Sequence, residues 1–265
     1  MIIVSNFFKF LSSKKQLYFF SSLNINFGFS MRLLVLAGGF GTRLKSAVGD
    51  VPKALAPIAD KPFLQLQIEL WVSQGLHNLT FLLHHQADQI IEFLEKQKHQ
   101  YAGSCEFDWI IEDKPLDTGG AVANAIKYLN YRGDFLVVNA DTWLGGGIIE
   151  ISASEAPALA VVALENTDRY GRVFFGSNSY ITSFKEKSKG SGAGWINAGL
   201  CKLNSQYFED WSGDAFSMER DLYCPLADEG SIIAVKLQCE FMDIGVPKDY
   251  LKFCQWIKEG KLEKL

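Results

Sequence analysis

From Met31 onward the chain alternates short apolar runs with segments of helical length, and this alternation constrains its fold more than any other feature. The run RLLVL precedes a helix expected from Pro62 to Gln74 and closed by Gly75. NLTFLL precedes one from Ala87 to about Lys98, and EFDWII one from Ala121 to Leu129, ahead of DFLVVNAD. Pro62 suits a first helical turn and Gly75 a position just past a helix end, and Leu64, Ile68, Trp71 and Val72 recur with helical spacing between them. Strands separated by helices of this length predict an α/β fold on a mostly parallel sheet covered on both faces, with ligands at the carboxyl ends of its strands. After Ile148 come a buried strand ALAVVAL, a hairpin from Arg172 to Lys185, a strand GWINAGLCKL and a helix from about Pro247. No Pro- or Ser-rich linker separates the halves, so residues 31–265 are expected to form one domain with a mixed sheet and an antiparallel accessory region.

Charge narrows the partners. The formal net charge is -4, which provides no broad basic surface of the kind nucleic-acid binding needs, so any anion must be met by a local pocket. The five cysteines are scattered singly, without a C-x-x-C pair, which fits a reducing cytoplasm. Residues 1–30 carry aromatic clusters broken by Ser, Asn and Lys. They contain no apolar run long enough to span a bilayer and no convincing secretory signal, and a membrane-surface role is the weaker alternative to a poorly ordered extension ahead of Met31.

The first candidate site is the strand end LAGGFGTRL. Gly38, Gly39 and Gly41 let backbone N–H groups approach a ligand that a Cβ would repel, and phosphate is the commonest such ligand. The loop matches neither G-x-x-x-x-G-K-[ST] nor G-x-G-x-x-G, and a tight structural corner is the plainer alternative. Arg43 can clamp a phosphate bidentately and Lys53, in VPKALAPI, can act as a mobile point charge, unless both are solvated surface cations. A second glycine turn, EDKPLDTGGAV, brings Thr118 and Gly119 to a helix start, where they would border a base or ribose or simply begin the helix. VVNADTW delivers Asp141 to the sheet's carboxyl edge, as a magnesium ligand or as a helix cap. Asp243 follows an apolar pair in EFMDIGVPKDY, and Glu186, Lys187 and Asn197 offer polar groups for a phosphorylated substrate, although Lys185 to Lys189 could equally be an exposed charged turn. The four histidines have no metal-ligand spacing, and no nucleophile elbow occurs. What remains is phosphoryl chemistry without a covalent intermediate: two phosphates positioned, neutralised by cations and magnesium, one attacking the other.

Taken in order, these motifs resemble the sugar-1-phosphate nucleotidyltransferases over Met31 to about Trp256. LAGGFGTRL is similar to that family's L-A-G-G-x-G-T-R-L, PKAL to P-K-[AP]-[LM], NADT to N-G-D-T, FKEK to F-x-E-K, INAG to I-N-A-G and DIGVPKDY to D-I-G-T-P-x-D-Y. PLDTGGAV, DRYGRV, FSMERDL and FMDIGVPKDY are most similar to the D-glycero-α-D-manno-heptose 1-phosphate guanylyltransferases. The resemblance implies the nucleotide-diphospho-sugar transferase fold, a Rossmann-like three-layer sandwich. It also implies transfer of a nucleoside monophosphate from NTP, GTP being favoured, to a sugar 1-phosphate with release of pyrophosphate, in the service of surface polysaccharide.

By the matching motifs, Leu36, Ala37, Gly38, Gly39, Gly41, Thr42 and Arg43 would hold the triphosphate, Lys53 would stabilise charge at the α-phosphate, and Asp141 with Asp243 would bind Mg²⁺. Thr118 and Gly119 would border the nucleoside, and Gly171, Glu186, Lys187 and Asn197 the sugar and its phosphate. Three positions depart from the pattern: Ala140 and Val246 replace a glycine and a threonine without removing a ligand, and Asp117 stands where glycine is common, either accepting from a guanine edge or capping the helix. A hexose 1-phosphate with another NTP is the alternative substrate pair. A non-catalytic nucleotide-sugar-binding regulator is the alternative of another class, and homodimerisation is left open.

Overall fold

The computed structural model describes residues 31–185 and 189–262, so the expectations for residues 1–30, Glu186 and Lys187 lie outside the described residues. The apolar run after Arg32 forms β1 (Leu33–Leu36), followed by a short helix α1 (Lys45–Val48), a 3-10 turn at Lys53–Leu55 and the two-residue strands β2 (Pro57–Ile58) and β3 (Lys61–Pro62). The expected alternation continues through α2 (Phe63–Ser73), β4 (Asn78–Leu83), α3 (Ala87–Gln100), β5 (Glu106–Ile111), α4 (Asp117–Tyr128) and β6 (Asp134–Asn139). The second half contributes β7 (Thr142–Leu144), α5 (Ile148–Ala153), β8 (Ala158–Leu164), β9 (Arg172–Phe175) and β10 (Ile181–Lys185). It ends with β11 (Gly194–Asn204), a π-helical turn at Met218–Tyr223, α6 (Cys224–Asp228), β12 (Ile233–Leu237), β13 (Phe241–Asp243) and α7 (Pro247–Lys258).

Nine of these strands make one mixed sheet in the order β10-β9-β11-β6-β1-β4-β5, with β8 paired to β11 and β12. The strands β6, β1, β4 and β5 are parallel, and β11 reverses direction against β6. Strand alternation sends Leu33, Val35, Leu136 and Val138 to one face, where α2, α3 and α5 bury them. Leu34, Phe135 and Val137 go to the other face, under α4 and α6. The result is the three-layer α/β architecture expected from the sequence.

The helix α4 begins at Asp117, earlier than the Ala121 expected from periodicity. Gly119 and Gly120 weaken the helical signal, yet both sit inside the first turn because the chain packs there without room for side chains. A Cβ on Gly119 would stand 2.2 Å from the Phe216 ring. A third core cluster lies apart from the two sheet faces: Leu44, Ala56, Ile58, Phe63, Trp143, Met242, Ile244 and Phe253 are among its buried members. Among the described residues no helix is long and apolar enough to cross a membrane, and no cysteine is in a disulfide.

Candidate active site

The glycine loop leaves β1 at the carboxyl edge of the sheet. Ala37 N still donates to Leu82 O, but from Gly38 to Arg43 no backbone N–H has a hydrogen-bond partner among the described residues, until Leu44 N donates to Gly41 O. Such a run of unsatisfied donors on an accessible loop is the construction that anions occupy. Gly41 has φ +60 and approaches Lys53 so closely that a Cβ would meet the Lys53 Cβ at 3.2 Å. The loop is thereby packed on the 3-10 turn that carries Lys53, while Thr42 and Arg43 remain exposed.

Lys53 reaches from that turn to the end of β6, where its Nζ pairs with Asp141 Oδ2, and the Asp141 Oδ1 accepts from Thr142 Oγ1 at 3.2 Å. Asp243 is brought to the same place by an antiparallel pairing of β13 with β7 that sets it opposite Thr142, and Ile244 N donates to Asp141 O. Asp243 Oδ1 accepts from Gly245 N at 2.6 Å, and Arg169 Nη2 lies 3.4 Å from its Oδ2. Gly245 serves by absence: a Cβ there would lie 2.7 Å from both Asp243 Oδ1 and Lys53 Nζ.

The two carboxylates suit a hard divalent cation. Each already draws a protein cation, Lys53 on Asp141 and Arg169 on Asp243, and one or two carboxylates completed by substrate oxygens is the donor set magnesium takes. No group of three or more His, Cys, Asp or Glu side chains that could hold a metal ion occurs among the described residues. Asp141 and Asp243 are the described residues that could hold such an ion.

Two cavities flank the end of β6. The first, of about 400 Å³, is walled by Gly38, Gly39, Phe40, His84, Glu112 and Asp141. The second, of about 290 Å³, is walled by Asn197, Gly199, Ser217, Glu219 and Tyr223. They share Leu36, Asp117, Thr118 and Asn139, so one continuous trough runs past the Lys53 and Asp141 pair. At the second cavity β11 bulges. Its register against β8 shifts between Asn197 and Cys201, Gly199 takes φ +74, and the space a Cβ would need there is filled by the Asn139 side chain.

The structure thus gathers Leu36, Gly38, Gly39, Thr118, Asn197 and Asp141 at the trough, with Lys53 paired to Asp141 and Asp243 set beside them opposite Thr142. Thr118 faces both cavities and its Oγ1 accepts from Met218 N at 3.0 Å. Gly119 does not line either cavity: it is buried, and its N donates to Phe216 O. Asp117 takes φ +58 and its Oδ1 accepts from Thr118 N at 2.7 Å, a local bond at the helix start. The left-handed backbone accounts for a site where glycine is otherwise suited. Gly171 lies at the open end of the β9 and β10 hairpin, where a Cβ would meet Lys185 O at 3.3 Å; from there the chain continues into Glu186 and Lys187, outside the described residues.

Sequence reasoning did not single out Glu112, Asn139 and Glu219, although each lies in a stretch quoted for other residues: EDKPLDTGGAV, VVNADTW and FSMERDL. Glu112 is half-buried, which pushes its carboxyl above the usual range, opposed by a hydrogen bond from Leu116 N at 3.2 Å and by His84.

Comparison with known proteins agrees with this geometry. The Nucleotidyl transferase family model matches residues 32–259. A D-glycero-α-D-manno-heptose 1-phosphate guanylyltransferase of Campylobacter jejuni is 33% identical over 228 residues, covering 84% of this chain and 98% of its own. A mannose-1-phosphate guanylyltransferase catalytic subunit beta of Xenopus tropicalis is 28% identical, with 86% of this chain and 65% of its own length covered. The crystal structure of HddC from Yersinia pseudotuberculosis complexed with GMP-PN superposes with a TM-score of 0.72 at 34% identity, covering 86% of this chain and 99% of that one. A glycine loop with unsatisfied N–H groups, a paired lysine and aspartate, and a family match spanning the entire sheet converge: this chain belongs to the nucleotidyl transferase family.

Proposed function

We propose that the protein is a sugar-1-phosphate guanylyltransferase, moving GMP from GTP to D-glycero-α-D-manno-heptose 1-phosphate and releasing pyrophosphate. The observation that carries this reading is the continuous trough in which two cavities meet at Asn139, beside the Lys53 and Asp141 pair. One cavity holds the nucleoside, the other the sugar, and the phosphates of both substrates converge between them. Support for the heptose comes from the Campylobacter relative, similar over 98% of its length, against the mannose-specific relative matched over 65% of its own.

The sugar phosphate supplies an oxygen that attacks the α-phosphorus of GTP in line. The bond from that phosphorus to the bridging oxygen breaks, and pyrophosphate leaves with the electron pair. The backbone N–H groups from Gly38 to Arg43 bind the β- and γ-phosphates, and Arg43 adds a planar, permanently charged clamp. Lys53 Nζ, flexible on its stem, turns from Asp141 to the α-phosphate, where charge builds as the new bond forms. Asp141 and Asp243 would hold magnesium, which when bound neutralises triphosphate charge. On the far wall Asn197, and beyond the described residues Glu186 and Lys187, seat the sugar phosphate.

Guanine fits the first cavity by hydrogen-bond complementarity. An ionised Glu112 only accepts, and guanine alone among the common bases offers adjacent N1–H and N2–H donors to one carboxylate. Cysteines outside any disulfide are in keeping with work in the cytoplasm.

The test is pyrophosphate release in the presence of magnesium, crossing GTP, ATP, UTP, CTP and dTTP against heptose, mannose and glucose 1-phosphates. Release confined to GTP with the manno-configured heptose is expected, and its loss in EDTA with recovery on adding Mg²⁺. Turnover of another pair would replace the substrates and keep the chemistry. Silence across the panel from folded, nucleotide-binding protein would overturn the enzyme reading in favour of a regulator.

A further inference from the structure

The wall of the sugar cavity opposite the sheet is a π-helical turn, Met218–Tyr223, fastened to the start of α4 on the nucleoside side. Phe216 O accepts from Gly119 N, Phe216 N donates to Leu116 O, and Met218 N donates to Thr118 Oγ1. Ser217 Oγ accepts from Arg220 N at the head of the turn, and Ser217 N donates to Asp221 Oδ2 at 2.8 Å. A π turn is uncommon and is concentrated at functional sites, because the wider coil re-aims the side chains it carries.

The side chain it aims into the cavity is Glu219. Its Oε1 accepts from Asn197 Nδ2 at 3.0 Å, while Asn197 Oδ1 accepts from Gly199 N at 2.9 Å, so the amide cannot rotate without breaking one of the two bonds. Glu219 Oε2 has no hydrogen bond among the described residues. Deeper in the cavity the polar groups are already turned on one another: Tyr223 Oη donates to Cys201 Sγ at 3.1 Å, and both residues are buried beside Val137. Because β11 runs antiparallel to β6, Asn197 stands further towards the Asp141 end of the trough than Gly199, whereas Val137 and Cys201 form the floor. A sugar whose phosphate lies at Asp141 therefore has its ring beside Glu219 and its carbon tail over the floor.

We infer that Glu219, held by Asn197, is the residue that reads the ring hydroxyls of the sugar 1-phosphate and so sets the sugar configuration the enzyme accepts. The inference rests on the guanylyltransferase reading. A carboxylate accepts from hydroxyls through both oxygens and makes charge-assisted bonds stronger than a neutral acceptor would. One such bond, lost from an accessible site, corresponds to roughly a tenfold change in kcat/KM.

The informative variant is Glu219→Gln, whose amide oxygen can still accept from Asn197 and so preserves the wall, while its nitrogen can no longer accept from a sugar hydroxyl. KM for the sugar 1-phosphate is expected to rise about tenfold or more with KM for GTP within about twofold. Singly deoxygenated sugar 1-phosphates complete a double-mutant cycle: removal of the hydroxyl that Glu219 reads should cost the wild type about tenfold and the variant little. A sugar KM within twofold of wild type, an equal rise in both KM values, or identical deoxy-sugar penalties in the two enzymes would overturn the inference. A wild type silent with every substrate pair defeats the underlying reading, whereas an active wild type with an indifferent Glu219→Gln defeats only the role of Glu219.

Discussion

Glu112 is a half-buried carboxylate facing the cavity assigned to guanine, and its titration ties fold to ligand. Burial raises its folded-state pKa above the unfolded value, so this group costs the fold stability as pH rises through that interval, and the cost is complete above the folded pKa. Glu112→Gln removes it, and the variant should melt no lower than wild type at pH 7 by calorimetry. Binding has the opposite sign. On the proposed reading guanine donates to the ionised form, so affinity is lost as pH falls through the raised folded pKa, and guanosine, which carries no titrating phosphate, isolates the effect in calorimetric titrations. Wild type should bind guanosine more weakly as the solution is acidified through that range, and Glu112→Gln should bind weakly and without that slope. A variant that keeps wild-type affinity at neutral pH would remove Glu112 from base recognition. That Lys53, Asp141 and Asp243 stand together was legible at this scale because each lies in a short motif at a strand end or turn. Glu112 and Glu219 were not, because one acidic residue in a turn looks like surface until the cavity behind it is known.

At the scale of elements, the sequence pattern located β4, β5 and β8 to the residue: β4 and β8 are nearly continuous buried runs with abrupt ends, whereas β5, at the sheet edge, mixes buried Phe107 and Ile110 with polar residues. It failed where tertiary packing overrides local preference. The start of α4 is the instance: two glycines disfavour a helix by propensity, but their missing side chains admit Phe216 and the carbonyl of Asp214 against the first turn. Gly119, read from sequence as a neighbour of the nucleoside, instead fixes the distance between α4 and the π turn. Gly119→Ala should therefore destabilise the protein by about 1–3 kcal/mol through overpacking, and pairing it with Phe216→Ala should recover part of that loss as a favourable coupling in denaturant unfolding. Additive losses would place Gly119 in contact with something other than Phe216. The short pairing of β7 with β13 was equally hidden, because three-residue strands far apart in the chain carry no period to read. Val246, where the related motif has threonine, begins α7 with no side-chain cap, and nothing in the structure compensates for the missing hydroxyl.

Across the whole molecule, the charged centre is assembled by a core cluster separate from the two faces of the sheet. Leu44 follows Arg43, Ala54 lies within the turn of Lys53 and Ala56 just after it, Trp143 stands two residues beyond Asp141, and Met242 and Ile244 bracket Asp243. All but Ala54 bury into the same cluster as Tyr250, Phe253 and Trp256 of α7. Phe253 is 0% exposed and packs on Phe63, Trp143 and Trp256 with ring centroids 5.1, 5.5 and 5.7 Å away. The helix α7 thus presses the strand of Asp243 onto the strand that follows Asp141, while Leu82, His84, Glu112, Leu116 and Ala121 in the wall of the nucleoside cavity are not members of this cluster. Truncation at Phe253 should separate these functions. Phe253→Ala is expected to cost about 3–5 kcal/mol, a large part of the 5–15 kcal/mol that typically holds a domain together, and Phe253→Leu provides a milder version should the alanine variant not fold. In whichever variant remains folded, Mn²⁺ affinity measured by electron paramagnetic resonance should fall several-fold while guanosine affinity stays within about twofold. Equal losses of both ligands would show that the cluster supports the fold in general and does not specifically hold the two carboxylates together.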